Sequence, residues 1–197
     1  PGVLNGDPKR VKDTLLFPKL SYQEAAEMTY YGASVIHPKT IKPLANKGIP
    51  LLVRSFLDAD APGTSIGNFE NSQPQPAVIF KSNQTLIKFQ ARDLSDINQR
   101  TLGQIIESIS DLHIKINLMM NTAVSFSVCI DTHHLKIEQA VAQLSHDFEV
   151  TLTYNLELIT LKNYTADWVQ KFYAPQKSLI ELKTPRNFQF VQETELY

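Results

Sequence analysis

The segment Gly32-Ala33-Ser34-Val35-Ile36-His37-Pro38-Lys39-Thr40 is where this chain is best equipped for chemistry. A turn of small residues beside a helix N-terminus lets backbone N–H groups approach a phosphate. Ser34 adds a hydroxyl. His37 stands directly before Pro38 and reads as a structural residue at a helix start rather than an acid or base, because no charged partner is identifiable. Lys9 and Arg10 follow the turn Asn5-Gly6-Asp7-Pro8. They are either a solvated pair or a phosphate contact. Cys129 lies between Val128 and Ile130 without a His or Asp pattern, so it reads as a buried strand residue. No catalytic residue and no metal-ligand set can be named.

Positioning the turn falls to the elements around it. Ser21-Tyr22-Gln23-Glu24 has the form of a capping box and predicts a helix that Gly32 stops. Pro38 predicts the start of a second helix, to Asn46, with Pro43 inside it as a kink or early stop and Gly48 at its C-terminal cap. Ile49 to Phe56 is a near-continuous apolar run, as in a strand covered on both faces. Residues 1–20 read as mostly irregular, 58–67 as a loop and 68–76 as a linker.

Beyond the linker the hydrophobic period changes. Thr85–Gln90 alternates as a strand, and Asp96–Ser110 carries a helical stripe. Strands at Lys115–Met120 and Val124–Ile130, a helix at Leu135–Leu144 and strands at Glu149–Thr153 and Leu156–Lys162 follow. This strand-helix-strand-strand-helix-strand order is the ferredoxin-like arrangement. A second unit then opens with a short helix capped by Thr165 and strands at Ser178–Leu182 and Asn187–Gln192. It is incomplete, so the two units are expected to share a sheet edge or to close against another chain. The fold class is α/β (α+β).

Composition narrows the function. With 19 basic and 20 acidic residues in 197 the chain lacks the basic excess of a nucleic-acid binder. No apolar run reaches the roughly 20 residues of a membrane-spanning helix. One cysteine cannot form an internal disulfide, which suits a reducing cytoplasm. The turn-rich opening Pro1-Gly2-Val3-Leu4-Asn5-Gly6-Asp7-Pro8 reads as the middle of a loop, hence the C-terminal part of a longer protein.

The order Leu20-Ser21-Tyr22-Gln23-Glu24-Ala25-Ala26-Glu27-Met28, then Tyr31-Gly32-Ala33-Ser34-Val35-Ile36-His37-Pro38-Lys39-Thr40, resembles the aspartokinases. These read Leu-Ser-Tyr-x-Glu-Ala-x-Glu-Leu, then Phe-Gly-Ala-Lys-Val-Leu-His-Pro-Arg-Thr. Ile49-Pro50, Ser55 and Ala61-Pro62-Gly63-Thr64 continue the match, and Gly2-Val3 with Asp7-Pro8-Lys9 resembles the family's Gly-Val/Ile-x-x-x-Asp-Pro-Arg loop. The resemblance is dense over residues 1–67 and weaker beyond. It implies residues 1–76 as the end of an amino-acid-kinase domain with its linker, 77–154 as a first ACT-like domain and 155–197 as a second, abbreviated ACT-like unit.

The implied activity of the full-length protein is transfer of the ATP γ-phosphate, with Mg2+, to the side-chain carboxylate of L-aspartate, the opening step towards lysine, threonine and methionine. The family's catalytic lysine lies in a Lys-x-Gly-Gly-Thr-Ser segment absent here. This chain is therefore expected to be inactive alone and to hold no tightly bound cofactor. The resemblance places Leu4, Lys9, Ser34 and Val35 on the ATP site, with Leu4 for a Tyr, Lys9 for an Arg and Ser34 for a Lys. Lysine for arginine keeps charge but loses the bidentate fork.

In the regulatory half, the family's lysine-sensitive members carry Ser-x-Gly-Phe-Leu, then Val-Asp-Leu-Ile and Ser-Glu. The corresponding effector positions here are Asn98, Leu102, Asn117 and Thr122, with Arg100 in place of Gly. Loss of the carboxylates weakens recognition of an ammonium group. The ACT pair then binds a different amino acid or serves as a homodimer interface, and both readings stay open. The reading from another class is a stand-alone ACT-type sensing or dimerisation module with no enzyme attached.

Overall fold

The structure is a computed structural model and describes residues 2–33, 36–58, 60–69, 75–93 and 95–194. Contacts divide the chain into two compact units. The first comprises Pro1–Lys81, Ile159–Ala174 and Lys183–Gln189, and the second Ser82–Leu158, Pro175–Leu182 and Phe190–Tyr197.

In the first unit, β1 (Lys19–Ser21) leads directly into α1 (Tyr22–Tyr31). Ser21 Oγ accepts the Glu24 amide at 3.1 Å, the expected N-cap contact. Gly32 closes α1 at φ 115°, a backbone state that a side chain would strain. Its N–H reaches Thr29 O at 3.1 Å and the Ala33 N–H reaches Met28 O at 2.9 Å, so two orphan carbonyls are satisfied in a Schellman motif. Helix α2 (Pro38–Lys47) runs on through Pro43 and ends in the same motif at Gly48. Proline here removes one hydrogen bond without ending the helix.

The apolar run after Gly48 differs from expectation. Only β2 (Leu51–Val53) is a strand, and it lies at the edge of a three-stranded sheet ordered β1-β3-β2. Leu52 is 59% exposed, so the run is not covered on both faces. Pro50, without an N–H, cannot extend the ladder. The central strand β3 (Thr64–Gly67) lies within the expected loop. It pairs parallel to β1 (Leu20↔Ile66) and antiparallel to β2 (Leu51↔Ile66). At four residues it is too short to show a period. Val3, Phe17, Leu20, Ala25, Met28, Ile41, Ile66, Ala77 and Ile79 form the core of this unit.

The remaining elements are β4 (Ala77–Ala91), α3 (Gln99–Asp111), β5 (Ile116–Asn121), β6 (Ser125–Asp131), α4 (His134–Leu144), β7 (Phe148–Lys162), α5 (Ala166–Phe172), β8 (Ser178–Lys183) and β9 (Asn187–Glu193). One six-stranded sheet runs β5-β6-β4-β7-β9-β8. Its first four strands, numbered within the repeat, stand 2-3-1-4, the ferredoxin-like order. The abbreviated repeat adds β9 and β8 beyond β7, so the expectation of a shared sheet holds. Thr165 is the N-cap residue of α5 but its side chain makes no capping bond.

Two strands are longer than expected. β4 begins at Ala77 rather than Thr85, and β7 is continuous where two strands were expected. Asn83 (φ 57°) and Asn155 (φ 59°) let these strands pass a left-handed residue without stopping, and asparagine tolerates that region. In the second unit, Ile87, Phe89, Phe126, Val128 and Ile130 point to α3 and α4, where Ile105, Ile109, Ile137 and Leu144 complete a buried core. The register Ile87↔Val128 and Phe89↔Phe126 keeps them on one face. Leu118, Cys129, Leu156, Leu158, Ile180 and Val191 fill the other. Each such side chain contributes about 1.5–3 kcal/mol by burial.

Candidate functional site

The expected turn lies on a cavity. Residues 2–17 form a loop pinned by the buried Asn5, whose side-chain oxygen accepts the Leu15 amide at 2.8 Å and whose Nδ2 donates to Pro76 O at 3.3 Å. Val3 N donates to Thr64 Oγ1 at 2.7 Å. This fixes Leu4 opposite the end of α1. Leu4, Gly6, Met28, Gly32, Ala33 and Phe80 are among the residues that line a cavity of about 370 Å3, all within the first unit. That volume is at the lower end of small-ligand pockets.

Leu4 and the Gly32–Ala33 turn are therefore brought together. Ser34 and Val35 lie outside the described residues. Lys9 is exposed and does not line the cavity; its amide donates to Asp7 Oδ1 at 2.9 Å. Arg10 does not line the cavity either, but its guanidinium packs on the lining Phe80 ring, 3.7 Å from the centroid. Sequence reasoning named the Lys9-Arg10 pair but could not separate its members, because Phe80 is 70 residues away. His37 is the N-cap of α2, with Nδ1 accepting the Lys39 amide at 3.2 Å. The cavity is walled by apolar side chains and backbone, and Asp7 is its only charged lining side chain among the described residues. It can hold a flat apolar group but supplies no acid–base pair.

One electrostatic feature, a largely buried ion pair, was not seen in the sequence. Lys162 Nζ donates to Glu27 Oε2 at 2.6 Å, with side-chain exposures of 6% and 34%. Burial raises the Glu27 pKa. Hydrogen bonds from Lys162 and Gln23 and the charges of Lys162 and Arg186 outweigh it, so the carboxyl sits below its ordinary value of 4.5. Burial, then the Glu27 and Tyr30 charges, raise the Tyr31 phenol above its ordinary 10.0.

The effector positions divide between the two ends of β5. Asn98 is the N-cap of α3, accepting from the Arg100 and Thr101 amides at 3.0 and 3.1 Å. Leu102 packs on the core. Thr122 Oγ1 meets Ser125 Oγ at 2.7 Å, and Ile97 N donates to Ala123 O at 2.9 Å, which ties the α3 entry to the β5–β6 turn. Asn117 stands near the start of β5, about 17 Å along an extended strand from Thr122. Its Nδ2 donates to Gln84 Oε1 at 2.8 Å and Asp131 Oδ1 at 3.0 Å. Gln84, fully buried, also donates to Asp131 Oδ1 at 2.9 Å. Asp131 thus puts a carboxylate beside Asn117, a neighbour only strand register reveals. Cys129 is buried, and its thiol donates to Gln84 Oε1 at 3.5 Å. Among the described residues no group of three or more His, Cys, Asp or Glu could hold a metal ion, and no helix is long and apolar enough to cross a membrane.

Comparison with known proteins points to a family. Residues 1–55 match the amino acid kinase family model. A bifunctional aspartokinase/homoserine dehydrogenase 2 of Zea mays is 28% identical over 159 residues, covering 77% of this chain and 17% of that protein. The lysine-sensitive aspartokinase 3 of Escherichia coli is 29% identical over 133 residues, 67% of this chain and 29% of the relative. A crystal structure of E. coli aspartokinase III in complex with aspartate and ADP superposes with a TM-score of 0.84 at 24% identity, covering 98% of this chain and 47% of that one. The chain spans less than a third of the length of these curated relatives and about half of the solved structure. It is a homologue of the aspartokinases over part of their length, and its residues 1–55 match the amino acid kinase family.

Proposed function

We propose that this chain is the C-terminal regulatory part of an aspartokinase. The whole protein transfers the γ-phosphate of MgATP to the side-chain carboxylate of L-aspartate, in the biosynthesis of lysine, threonine and methionine. The observation that carries the reading is the cavity shared by Leu4 and the Gly32–Ala33 turn, most of whose lining residues belong to the stretch that matches an amino acid kinase. In this reading Leu4, with Ser34 and Val35 beyond the turn, lines the nucleotide site, and Lys9 or the better placed Arg10 lends charge near it. Residues 1–76 form that kinase wall, 77–154 the first ACT-like domain and 155–197 the abbreviated second.

The catalytic lysine comes from the N-terminal kinase part, so this chain alone binds no cofactor tightly and transfers no phosphate. Neutralising charge at the γ-phosphate is most of the work in this chemistry, and the cavity offers little of it. The ferredoxin-like region senses an amino acid, with Asn98, Leu102 and Thr122 at one end of β5 and Asn117 at the other as separate candidate contacts, and joins two chains in a cytoplasmic homodimer. One relative is lysine-sensitive by name. Asn117 bonds to Asp131 at 3.0 Å, so a carboxylate remains beside the position where the family carries its aspartate.

The test is a coupled ADP-release assay on the intact protein and on the 197-residue chain. Aspartate-dependent turnover by the intact protein and none by the chain is expected. An intact protein without such turnover would leave a sensing or dimerisation module as the account of these residues.

A further inference from the structure

A second cleft in the first unit has a wall of opposite character. It has a volume of about 590 Å3, and Ser21, Glu24, Glu27, Lys162, Arg186 and Asn187 are among its polar lining residues. Every lining residue belongs to the first unit. The volume is within the range of small-molecule sites.

Three groups in this wall have unused hydrogen-bonding capacity. The Lys162 side chain is 6% exposed and, among the described residues, bonds only to Glu27. An ammonium has three donors, so two remain. The Arg186 side chain makes no hydrogen bond among the described residues, although its charge reaches Glu27. Asn187 gives its Nδ2 to the Tyr31 hydroxyl at 3.2 Å, while its Oδ1 is buried without a partner. Buried polar atoms in native proteins nearly always find a partner, so an orphan acceptor beside a cleft calls for a donor from within it.

The charges select the ligand. Glu24 and Glu27 face Lys162 and Arg186, two of each sign. A simple anion meets two carboxylates, and a simple cation meets an ammonium and a guanidinium. A molecule carrying both signs can set its carboxylate on Lys162 and Arg186 and its ammonium on Asn187 Oδ1 and Glu24. We propose that this cleft binds a free α-amino acid as its zwitterion, at a place distinct from the nucleotide wall and from the effector positions on α3 and β5. The inference rests on the first unit alone and needs no kinase activity.

Calorimetric titration of the chain with L-threonine, L-methionine and L-lysine tests it, with acetate and ethylammonium as single-charge controls. At least one amino acid should bind and both controls should not. Arg186→Gln removes an exposed cation and should weaken binding about tenfold, the worth of one charged hydrogen bond. Lys162→Met should abolish it, and Asn98→Ala with Asn117→Ala should leave it unchanged. The Asn187 side-chain amide resonances should shift on titration. No binding by any of the three amino acids at tens of millimolar, binding that acetate reproduces, or binding that survives Arg186→Gln and falls with the Asn98 and Asn117 variants would each overturn the assignment.

Discussion

The second unit packs apolar side chains on both faces of its sheet, with Phe89, Val128, Ile130 and Leu156 fully buried, and its exposed apolar residues, Leu135 and Met119 among them, keep part of their surface covered. The first unit leaves Leu52 at 59% exposure and Phe56 and Leu57 almost wholly in water. Such clustered exposure on a small unit usually marks a surface that another segment or chain covers. The polar interiors differ as well. The second unit joins Gln84, Asn117 and Asp131 in a network tied by strand register. The first sets one buried ammonium against a half-exposed carboxylate beside an open cleft. The contrast separates a polar network closed by strand register from a charge pair left beside an open cleft, and two rings almost wholly in water from exposed residues that are each partly covered.

The comparison can be broken by substitution. The largest effect belongs to Phe89→Ala, which opens a cavity in the closed core and should cost about 3–5 kcal/mol in urea unfolding. A loss below ~1 kcal/mol would mean that the second unit is not tightly packed.

Glu27→Ala comes next. It strands the Lys162 ammonium and should cost about 2–3 kcal/mol, less than a fully enclosed pair because Glu27 keeps some water. The same pair sets a pH response. The folded Glu27 pKa lies below its ordinary 4.5, so its contribution is fully present above pH 4.5 and is lost as pH falls through the depressed value. Melting curves between neutral and acid pH should show that loss in the parent and a smaller one in Lys162→Met. Equal acid sensitivity would remove the pair from the account.

Phe56→Ser should be the smallest effect, within about 0.5 kcal/mol, since the ring is already in water. It should also reduce binding of a hydrophobic dye. A large loss of stability would show that the ring is covered in the chain as it stands.

Legibility in the sequence followed the same division. In the second unit the helical stripe at Ile105 and Ile109 and the alternation through Phe126, Val128 and Ile130 read out both elements and core, because each segment is long enough to show its period. In the first unit the caps Ser21, Gly32 and Gly48 and the opening Pro38 were readable as local chemistry. Strands β1 and β3 were not, at three and four residues. Tyr154-Asn155 resembles a turn, yet β7 passes through it because Asn155 can take a positive φ. The candidate groups were hardest where pairing is distant. Glu27 and Lys162 are 135 residues apart, and Gln84 and Asp131 are 47 apart, so no spacing announces either contact. The Gly32 turn was reached through local chemistry and Leu4 through motif resemblance, and Arg10 was left undivided from Lys9 for want of Phe80.

The central claim, that the first unit supplies one wall of a nucleotide site whose catalytic groups lie elsewhere in the protein, is tested most directly in trans. The separately purified N-terminal kinase part is assayed for aspartate-dependent ADP release with and without this chain. Turnover that rises from background on adding the chain, with loss of dye binding at Phe56 and Leu57, is the predicted result. An N-terminal part that is equally active without the chain would contradict it.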